Sequence, residues 1–326
     1  MRGGGRLEIE MRDVVRARAR IRGHVWPTPL LDDRELSRRR GAPVHLKMEC
    51  WQRTGSFKVR GAFHRMLHLT PEERLRGVIA VSAGNHAQGV ALAARELGVS
   101  ALVVMPESAS RVKVEAVRAL GGEVLLRGED YDAADRACAE ILEDSGRTLV
   151  HPFEDPLVIA GQGTVGLEVA LSAADVEIVL VPAGGGGLAV GSAIALKTLR
   201  PGVKVYGVQS EASAPLVAAH RAGRRVPVQY GPSLADGLHG DTTDAMVELA
   251  LRHLDGMLVV SEEAIARAMR YLFDQQRIVV EGSAAVGVAA LLEGAAPEGA
   301  AVAVLTGRNV APEAFLRIAA GAEGAS

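Results

Sequence analysis

The segment ECWQRTGSFKVRGAF contains a lysine in a setting that favours chemistry. Lys58 follows Thr54-Gly55-Ser56-Phe57 near the predicted start of a helix. Because the positive end of a helix dipole disfavours an ammonium group, we expect the pKa of this lysine to be lowered. A neutral amine can form a Schiff base or remove a proton from carbon. From this segment alone, an ordinary surface lysine is the simpler interpretation, and Phe57 fits a core position as well as an apolar wall.

Lysine is rare in this chain. Of the 37 Lys and Arg residues, five are lysine. A guanidinium group does not lose its proton in proteins, so a lysine retained in an unusual setting invites a chemical explanation. The other four, Lys47, Lys113, Lys197 and Lys204, fit a strand end, a polar helix start and the two sides of a surface loop. We expect chemistry at Lys58 alone.

A second segment, VPAGGGGLAVG, places Gly184, Gly185, Gly186 and Gly187 between a predicted buried strand and a predicted helix. Without Cβ atoms, successive backbone N–H groups can converge on an anion, and the helix dipole adds favourable potential. The next strand ends in Gln209 rather than an acidic residue, and no Lys-Ser/Thr pair follows the glycines, which disfavours dinucleotide and Walker-type sites. The segment predicts a phosphate site, with a flexible turn as the alternative.

The two segments together indicate one cofactor. Pyridoxal 5'-phosphate needs both an amine, which binds its aldehyde, and a site for its phosphate. The sequence therefore predicts a pyridoxal-phosphate enzyme in which Lys58 carries the cofactor.

Short β-branched runs alternate with helical patterns, which predicts an α/β fold with largely parallel strands. The predicted strands are 44–47, 78–82, 101–105, 123–126, 177–182, 203–209, 257–260 and 301–306. The predicted helices include 85–97, 111–120, 131–144, 188–199 and one from Ser261 to Arg277. Since such folds bind ligands at the carboxyl ends of strands, we expect the loops 49–61, 82–89, 183–188 and 306–309 to form one site.

Composition excludes several other classes of protein. The 326 residues include 48% hydrophobic and 23% charged residues, and the net charge is −2. We expect no nucleic-acid or membrane partner, because there is neither a basic excess nor an apolar stretch long enough to span a bilayer. The N-terminus has no apolar leader pattern, so a cytoplasmic location is expected. Cys50 and Cys138 fit isolated apolar positions.

Long motifs resemble the threonine/serine dehydratases (threonine ammonia-lyases) of the second pyridoxal-phosphate fold type, which is similar to the tryptophan synthase β chain. The motifs are K-M-E-C-W-Q-R-T-G-S-F-K-V-R-G-A, S-A-G-N-H-A-Q-G, G-G-G-G-L, G-V-Q-S-E, L-A-D-G and V-E-G-S-A-A, in order between Ile21 and Asn309. The resemblance implies two open, twisted, mostly parallel sheets flanked by helices. It also implies a large cofactor domain of residues 1–72 and 152–326 and a small mobile domain of residues 73–151.

The resemblance also implies roles for individual residues. Lys58 would bind the cofactor and act as the base at Cα, Phe57 would pack on the cofactor ring, and Asn85 would bind the ring hydroxyl. The phosphate would lie on Gly184, Gly185, Gly186 and Gly187 with Leu188 behind them, Gly237 would line the ring edge, and Thr306 would face the pyridine nitrogen. The substrate carboxylate would lie on Ser82, Ala83, Gly84, Asn85 and His86.

The implied reaction is an α,β-elimination that converts L-threonine or L-serine to a 2-oxo acid and ammonia. A hydroxyl such as that of Thr306 does not stabilise a protonated pyridine as a carboxylate does, so the ring is a moderate electron sink. A carbanion at Cα then tends to expel its β-hydroxyl group. Because 17 residues follow Asn309, we expect the short, catabolic-like form without a regulatory domain.

Departures from the family pattern leave other substrates open. Serine racemases carry S-S-G-N-H, whereas Ala83 here cannot donate a proton, so we expect little racemisation. Where some relatives have acidic metal ligands, this chain has Gln209 and, as nearly as it can be aligned, Pro215, so no metal is expected although Glu211 remains. Arg308, in T-G-R-N, is either solvated or directed to the substrate. A hydroxyectoine-pathway, 3-hydroxyaspartate or phenylserine dehydratase therefore remains an alternative.

Two further alternatives belong to other functional classes. A synthase of the same fold would replace the β-substituent with a thiol or amine. A non-catalytic pyridoxal-phosphate carrier would keep the four glycines but would not need Lys58. The expected partner is a small amino acid, and relatives of this fold suggest a homodimer or homotetramer.

Overall fold

The computed structural model describes residues 7–321, which form two β-sheets surrounded by helices. The strands are β1 (Leu30–Asp32), β2 (Val44–Lys47), β3 (Val78–Val81), β4 (Ala101–Met105), β5 (Glu123–Leu126), β6 (Thr148–Leu149), β7 (Ile178–Pro182), β8 (Lys204–Ser210), β9 (Gly256–Val260) and β10 (Ala301–Val304). Short 3₁₀ turns lie at Glu49–Trp51, Arg53–Gly55 and Asp236–Leu238.

Fourteen α-helices connect and cover these strands within the described residues. They are α1 (Met11–Ile21), α2 (Arg34–Arg40), α3 (Lys58–Met66), α4 (Pro71–Arg76), α5 (Asn85–Leu97), α6 (Arg111–Ala119), α7 (Tyr131–Ser145), α8 (Pro156–Ser172), α9 (Gly187–Leu199), α10 (Pro215–Ala222), α11 (Asp244–His253), α12 (Glu262–Gln276), α13 (Gly282–Leu292) and α14 (Pro312–Ala319). In the described part of the chain, no helix combines the length and apolar character needed to cross a bilayer.

The two sheets differ in size. The larger has the order β1-β2-β10-β7-β8-β9, and the smaller has the order β5-β4-β3-β6. All neighbouring strands are parallel except β1, which runs antiparallel to β2. The expected pair of mostly parallel sheets flanked by helices is confirmed. The sequence pattern missed β1 and β6, because three and two residues are too short to show a period.

The larger sheet lies between two helical layers. Alternate residues of a strand point to opposite faces, so Ile178 and Leu180 of β7 pack with α12 and α13, whereas Val179 and Val181 pack with α8 and α9. Close contact of α8 with α9 depends on glycine. A Cβ atom at Gly166 would overlap the backbone of the facing helix. Such burial on both faces explains why β7 is apolar at every position.

Helix boundaries follow from local hydrogen bonds. Ser261 accepts a hydrogen bond from Ala264 N at 3.1 Å, and the helix ends at Arg277, whose φ is 56°. The side chain of Asp155 accepts from Leu157 N at 2.8 Å and caps α8 in the same way. These caps satisfy N–H groups that a helix leaves unpaired at its start. The helix predicted from Ser261 is thus confirmed.

Parallel strands bring several loops to one edge of the larger sheet. The chain leaves β2 towards Lys58, leaves β7 into the four glycines and leaves β10 at Thr306. Phe57 N donates to Thr306 O at 3.1 Å, which joins two of these segments directly. The carboxyl end of β3 in the smaller sheet opens into α5, which packs against α3. Side chains from both sheets therefore meet around the first turn of α3.

Candidate active site

Lys58 is the first residue of α3, and its side chain is partly buried. Its Nζ donates to Pro152 O at 3.0 Å and lies 5.3 Å from the centre of the Phe57 ring. Burial lowers the pKa of Lys58 from 10.5 to about 8, although the charge of Glu281 opposes this change. Gly89 of α5 lies so close that a Cβ atom there would be 3.2 Å from the Lys58 carbonyl carbon. The amine is therefore held near the junction of the two sheets and loses its proton easily.

Thr306 lies beside this lysine segment. It follows β10, and its backbone oxygen accepts the hydrogen bond from Phe57 N. Thr306 is 3% exposed, and Phe57 is half-buried against the apolar cluster that also contains Phe153. The structure thus brings Phe57, Lys58 and Thr306 together from segments almost 250 residues apart in the chain.

The four glycines lead from β7 into α9, as the sequence pattern suggests. Gly186 has a φ of 95° and precedes the first turn of α9, where no side chain caps the free N–H groups. Cβ atoms at Gly185 and Gly187 would contact Phe153 too closely, whereas one at Gly184 would make ordinary contacts with Gly237 and its neighbour. Glycine is therefore required at positions 185, 186 and 187 but not at 184, and the backbone N–H groups of the segment can bind an anion.

The segment containing Pro152 and Phe153 links the lysine to the glycines, and the sequence patterns did not indicate it. Pro152 supplies the carbonyl that binds Lys58 Nζ, while the ring of Phe153 covers Gly185 and the Phe153 backbone lies against Gly187. Phe153 also packs edge-on against His151, with ring centres 4.7 Å apart. The feature of the sequence that could have indicated this segment is Phe153, an aromatic residue two positions before Asp155, which caps α8.

The Asn85 amide is fixed by hydrogen bonds at both ends. Its Nδ2 donates to Glu281 Oε1 at 2.7 Å, and its Oδ1 accepts from Asn309 Nδ2 at 2.6 Å. Asn309 Nδ2 also donates to Thr54 O at 2.8 Å. Because a carboxylate only accepts, Glu281 sets which end of the amide is the donor. The second N–H of Asn85 Nδ2 is left for a ligand.

Glu281 is a buried carboxyl group that the sequence patterns contained but did not single out. Its Oε2 accepts from Asn309 N at 3.1 Å, and the residue is 6% exposed. Burial, together with the negative charge of Asp236, raises the pKa of Glu281 to about 7. A Cβ atom at Gly307 would lie 2.5 Å from Glu281 Oε1, and one at Gly237 would lie 3.8 Å from it. The feature of the sequence that could have indicated Glu281 is that it is the single acidic residue in the mostly apolar motif V-E-G-S-A-A.

The loop before α5 divides its residues between the site and the core. Ser82 Oγ accepts from Gly84 N at 3.1 Å, and Ala83 packs on the apolar cluster between α5 and β4. Asn85 reaches Glu281, whereas His86 Nε2 donates to Val150 O at 2.7 Å, away from it. Burial and the charge of Lys58 lower the pKa of His86 to about 3, so its ring is neutral. Leu188 likewise packs in the core behind the glycines.

A buried ion cluster supports the helix that carries Lys58. Arg60 binds Glu49 through Nε and Nη2 at 2.8 Å each, and it binds Glu168 through Nη1 at 2.7 Å. Lys47 joins the cluster through Glu168 at 2.5 Å. Lys47 does end β2, but interpreting it as an ordinary strand-end lysine was incomplete, because its side chain is fully buried and burial lowers its pKa. The four charges balance, which allows their burial.

These groups fit pyridoxal phosphate. A primary amine of lowered pKa can bind the aldehyde, and the uncapped start of α9 can bind the phosphate. Ser56 Oγ and Ser283 Oγ, both buried, find no hydrogen-bond partner among the described residues. Since buried polar groups are normally paired, they match a polar ligand better than an apolar one.

Comparison with known proteins gives the class. A sequence profile described as "Pyridoxal-phosphate dependent enzyme" matches residues 21–307, so the chain belongs to this family of enzymes and uses pyridoxal phosphate. The chain is 46% identical to the L-threonine ammonia-lyase of Thermotoga maritima over 93% of this chain and 76% of that protein.

Two solved structures support the same class. The T.th. threonine deaminase superposes with a TM-score of 0.86 at 41% identity, over 93% of this chain and 99% of that one. Maize serine racemase superposes with a TM-score of 0.90 at 29% identity, over 95% of this chain and 96% of that one. The resemblance recognised from the motifs and the expected cofactor are therefore confirmed.

Two departures from the family pattern take defined positions. Arg308 is exposed, and its backbone N donates to Gly55 O at 3.0 Å while its side chain runs along Gly55. Gln209 is fully buried beside the glycine segment. Within residues 7–321, no group of three or more His, Cys, Asp or Glu side chains is arranged to hold a metal ion.

Proposed function

We propose that this protein is an ammonia-lyase that converts L-threonine, and also L-serine, to 2-oxobutanoate or pyruvate with release of ammonia. The observation that supports this most is the partly buried amine of Lys58, which has a lowered pKa and is joined through Pro152 and Phe153 to the glycine segment. Relatives named L-threonine ammonia-lyase and threonine deaminase support threonine as the substrate.

Each predicted site residue has a proposed role toward the cofactor. Lys58 would hold its aldehyde, the segment Gly184, Gly185, Gly186 and Gly187 its phosphate, and Asn85 and Thr306 its polar ring atoms. Phe57 and Gly237 would line the ring. When bound, pyridoxal phosphate supplies an electron sink that stabilises negative charge at the substrate Cα. The placement of Thr306 beside Phe57 and of Gly237 beside Gly184 supports this assignment.

Lys58 acts as the base in this proposal. The substrate amine would first take the place of Lys58 on the cofactor aldehyde. The freed amine of Lys58, in its neutral form, would then remove the proton from Cα, and this proton would balance the departing β-hydroxyl group, which leaves as water. Water later hydrolyses the remaining C–N bond, so the net change is loss of ammonia. The pKa of about 8 leaves a useful fraction of the amine neutral near physiological pH. The substrate carboxylate would lie on the loop of Ser82, Ala83, Gly84, Asn85 and His86, at the start of α5, where the helix dipole favours a negative charge.

The test is a substrate panel with detection of 2-oxo acids. L-Threonine and L-serine should give 2-oxobutanoate and pyruvate, and 3-hydroxyaspartate and phenylserine should react more slowly. Lys58→Ala should abolish both the product and the absorbance band of covalently bound cofactor at about 410 nm, whereas Lys197→Ala should retain both. If 3-hydroxyaspartate or phenylserine gave product and L-threonine and L-serine did not, a different dehydratase would be favoured. Product only with an added thiol or amine would favour a synthase.

Serine racemisation is the second candidate, supported by the superposition on maize serine racemase. Ala83 argues against it, because its methyl group packs on apolar residues and cannot donate a proton to Cα. We expect D-serine formation from L-serine to be far slower than pyruvate formation. If chiral chromatography showed that D-serine forms about as fast as pyruvate, racemisation would become the favoured function.

Three wider expectations remain part of the proposal. Residues 73–151, which contain the smaller sheet, move as a unit over residues 1–72 and 152–326 to admit substrate. The protein forms a homodimer or homotetramer, which fits the exposure of Trp26 and Trp51. It is cytoplasmic, which fits Cys50 and Cys138, both buried and neither in a disulfide. Light scattering tests the assembly state.

A further inference from the structure

Gln209 is a fully buried amide next to the glycine segment, outside the set of residues assigned to the cofactor. It lies on β8, which pairs in parallel with β7, so its side chain reaches the point where β7 ends. A buried amide needs partners for both its donor and its acceptor end. Its partners therefore show what it does.

Both ends of this amide bind backbone groups. Nε2 donates to Ala183 O at 2.8 Å and lies 3.5 Å from Gly184 O, while Oε1 accepts from Val217 N at 3.0 Å. Val217 is in the first turn of α10, and Ala214, the residue just before this helix, provides no side-chain cap. One side chain thus links β8, the glycine segment and α10.

The contact with the two carbonyl groups fixes the direction of the following N–H groups. In a trans peptide, the C=O of one residue and the N–H of the next point in opposite directions. The described chain contains no cis peptide bond. When Ala183 O and Gly184 O face Gln209, the N–H groups of Gly184 and Gly185 must point away from it.

A run of four glycines needs such a restraint. Glycine has more backbone freedom than any other residue, so the segment loses much conformational entropy when its N–H groups converge on one anion. A restraint already present in the cofactor-free protein lowers this cost at the time of binding.

We propose that Gln209 is a positioning residue that orients the N–H groups of Gly184 and Gly185 for the cofactor phosphate, although it does not itself touch the cofactor. This inference rests on the proposed role of the glycine segment as the phosphate site. It predicts that loss of the amide weakens the binding of the phosphate group and has little effect on the rest of the cofactor.

The experiment compares pyridoxal phosphate with pyridoxal, which lacks the phosphate. Apoprotein of the wild type and of Gln209→Met is titrated with each compound, and Kd is measured from absorbance. Methionine preserves the volume but neither hydrogen bond. We expect the Kd for pyridoxal phosphate to rise about tenfold, while the Kd for pyridoxal changes less than about threefold. Equal losses for both compounds, or no loss for either, would overturn the proposal.

A matched control and a second variant keep the test decisive. Gln162→Met removes another buried amide, which binds Gly61 N at 3.2 Å on α3, and should affect both compounds equally. Gln209→Asn keeps a buried amide that is too short to bridge both partners, so it should show the same selective loss if the methionine variant does not fold. If the wild type binds neither compound, the proposed function fails instead, which distinguishes the two outcomes.

Discussion

The reactivity of Lys58 arises from burial, at the scale of a single residue. Its amine binds Pro152 O in a partly buried position, and burial lowers its pKa to about 8. Water stabilises an ammonium group far better than this site does, so the neutral form of the amine is more populated here than in water at the same pH. The helix start contributes in the same direction. The property needed for chemistry therefore costs the cofactor-free protein stability.

This cost can be measured. Below pH 8 Lys58 is protonated in both the folded and unfolded states, and the folded state carries the full penalty. The penalty disappears as the pH rises from 8 to 10.5, because the unfolded state then also loses the proton. Lys58→Met should raise the unfolding free energy of the apoprotein at pH 7 by about 1–2 kcal/mol, and the gain should shrink by pH 10. Urea unfolding tests this, with Lys197→Met as the control. A gain independent of pH would contradict the explanation.

Glu281 provides a second prediction at this scale. Burial and Asp236 raise its pKa to about 7, and its carboxyl group binds Asn85. The spectrum of the bound cofactor should therefore change with a midpoint near pH 7, and Glu281→Gln should abolish this transition. Asp236→Asn removes a nearby negative charge, so it should move the midpoint to lower pH. An unchanged transition in Glu281→Gln would assign it to another group.

At the scale of elements, the glycine segment meets two requirements. In the proposed phosphate site its backbone would present N–H groups at the start of α9, and it must also leave room for the Phe153 ring. These demands fall on different residues. Gly186 has a positive φ, Gly185 faces the Phe153 ring, Gly187 faces the Phe153 backbone, and Gly184 has space for a side chain. Packing and ligand binding can therefore be separated by substitution.

The matched pair Gly185→Ala and Gly184→Ala tests this separation. The first places a methyl group inside the Phe153 ring and should reduce the free energy of unfolding by about 1–3 kcal/mol. The second should leave the stability of the apoprotein nearly unchanged, because its Cβ would lie 3.4 Å from Leu238 Cα. Adding Phe153→Leu should recover part of the loss in Gly185→Ala. Similar losses in both single variants, measured by urea unfolding, would refute the separation.

At the scale of the whole molecule, the site depends on how the two sheets face each other. Asn85 begins α5, which follows β3 of the smaller sheet, while Glu281 and Asn309 belong to the part of the chain that contains the larger sheet. Lys113 of α6 also pairs with Asp236 at 3.2 Å across the same boundary. If residues 73–151 move as proposed, these contacts are the ones that form on closure.

The ion pair of Lys113 gives a measure of closure. Both side chains are substantially exposed, so Lys113→Gln should weaken closure by only about 0.2–1 kcal/mol and raise KM up to a few-fold at low salt. High salt should remove the difference from the wild type. Arg111→Gln breaks a pair with Glu115 inside the same helix and should leave KM unchanged. Equal effects of the two substitutions would exclude a closure contact.

Much of the fold and part of the site follow from local sequence. The β-branched runs identify β2, β4 and β5 with their observed bounds, and the glycine run lies where β7 meets α9. The motifs around Lys58 identify the family and the cofactor. These features are local, because hydrophobic period, turn residues and backbone freedom act within a few residues.

Tertiary structure decided what surrounds those residues. No local pattern shows that Lys58 binds Pro152 O, that Asn85 binds Glu281, or that Gln209 binds Ala183 O, because the partners lie 94, 196 and 26 residues apart in the chain. The sequence around Lys47 indicates only the end of a strand, whereas in the structure its side chain forms a buried ion pair with Glu168. Burial and charge pairing depend on the packed neighbours, and these exist only after distant strands have met.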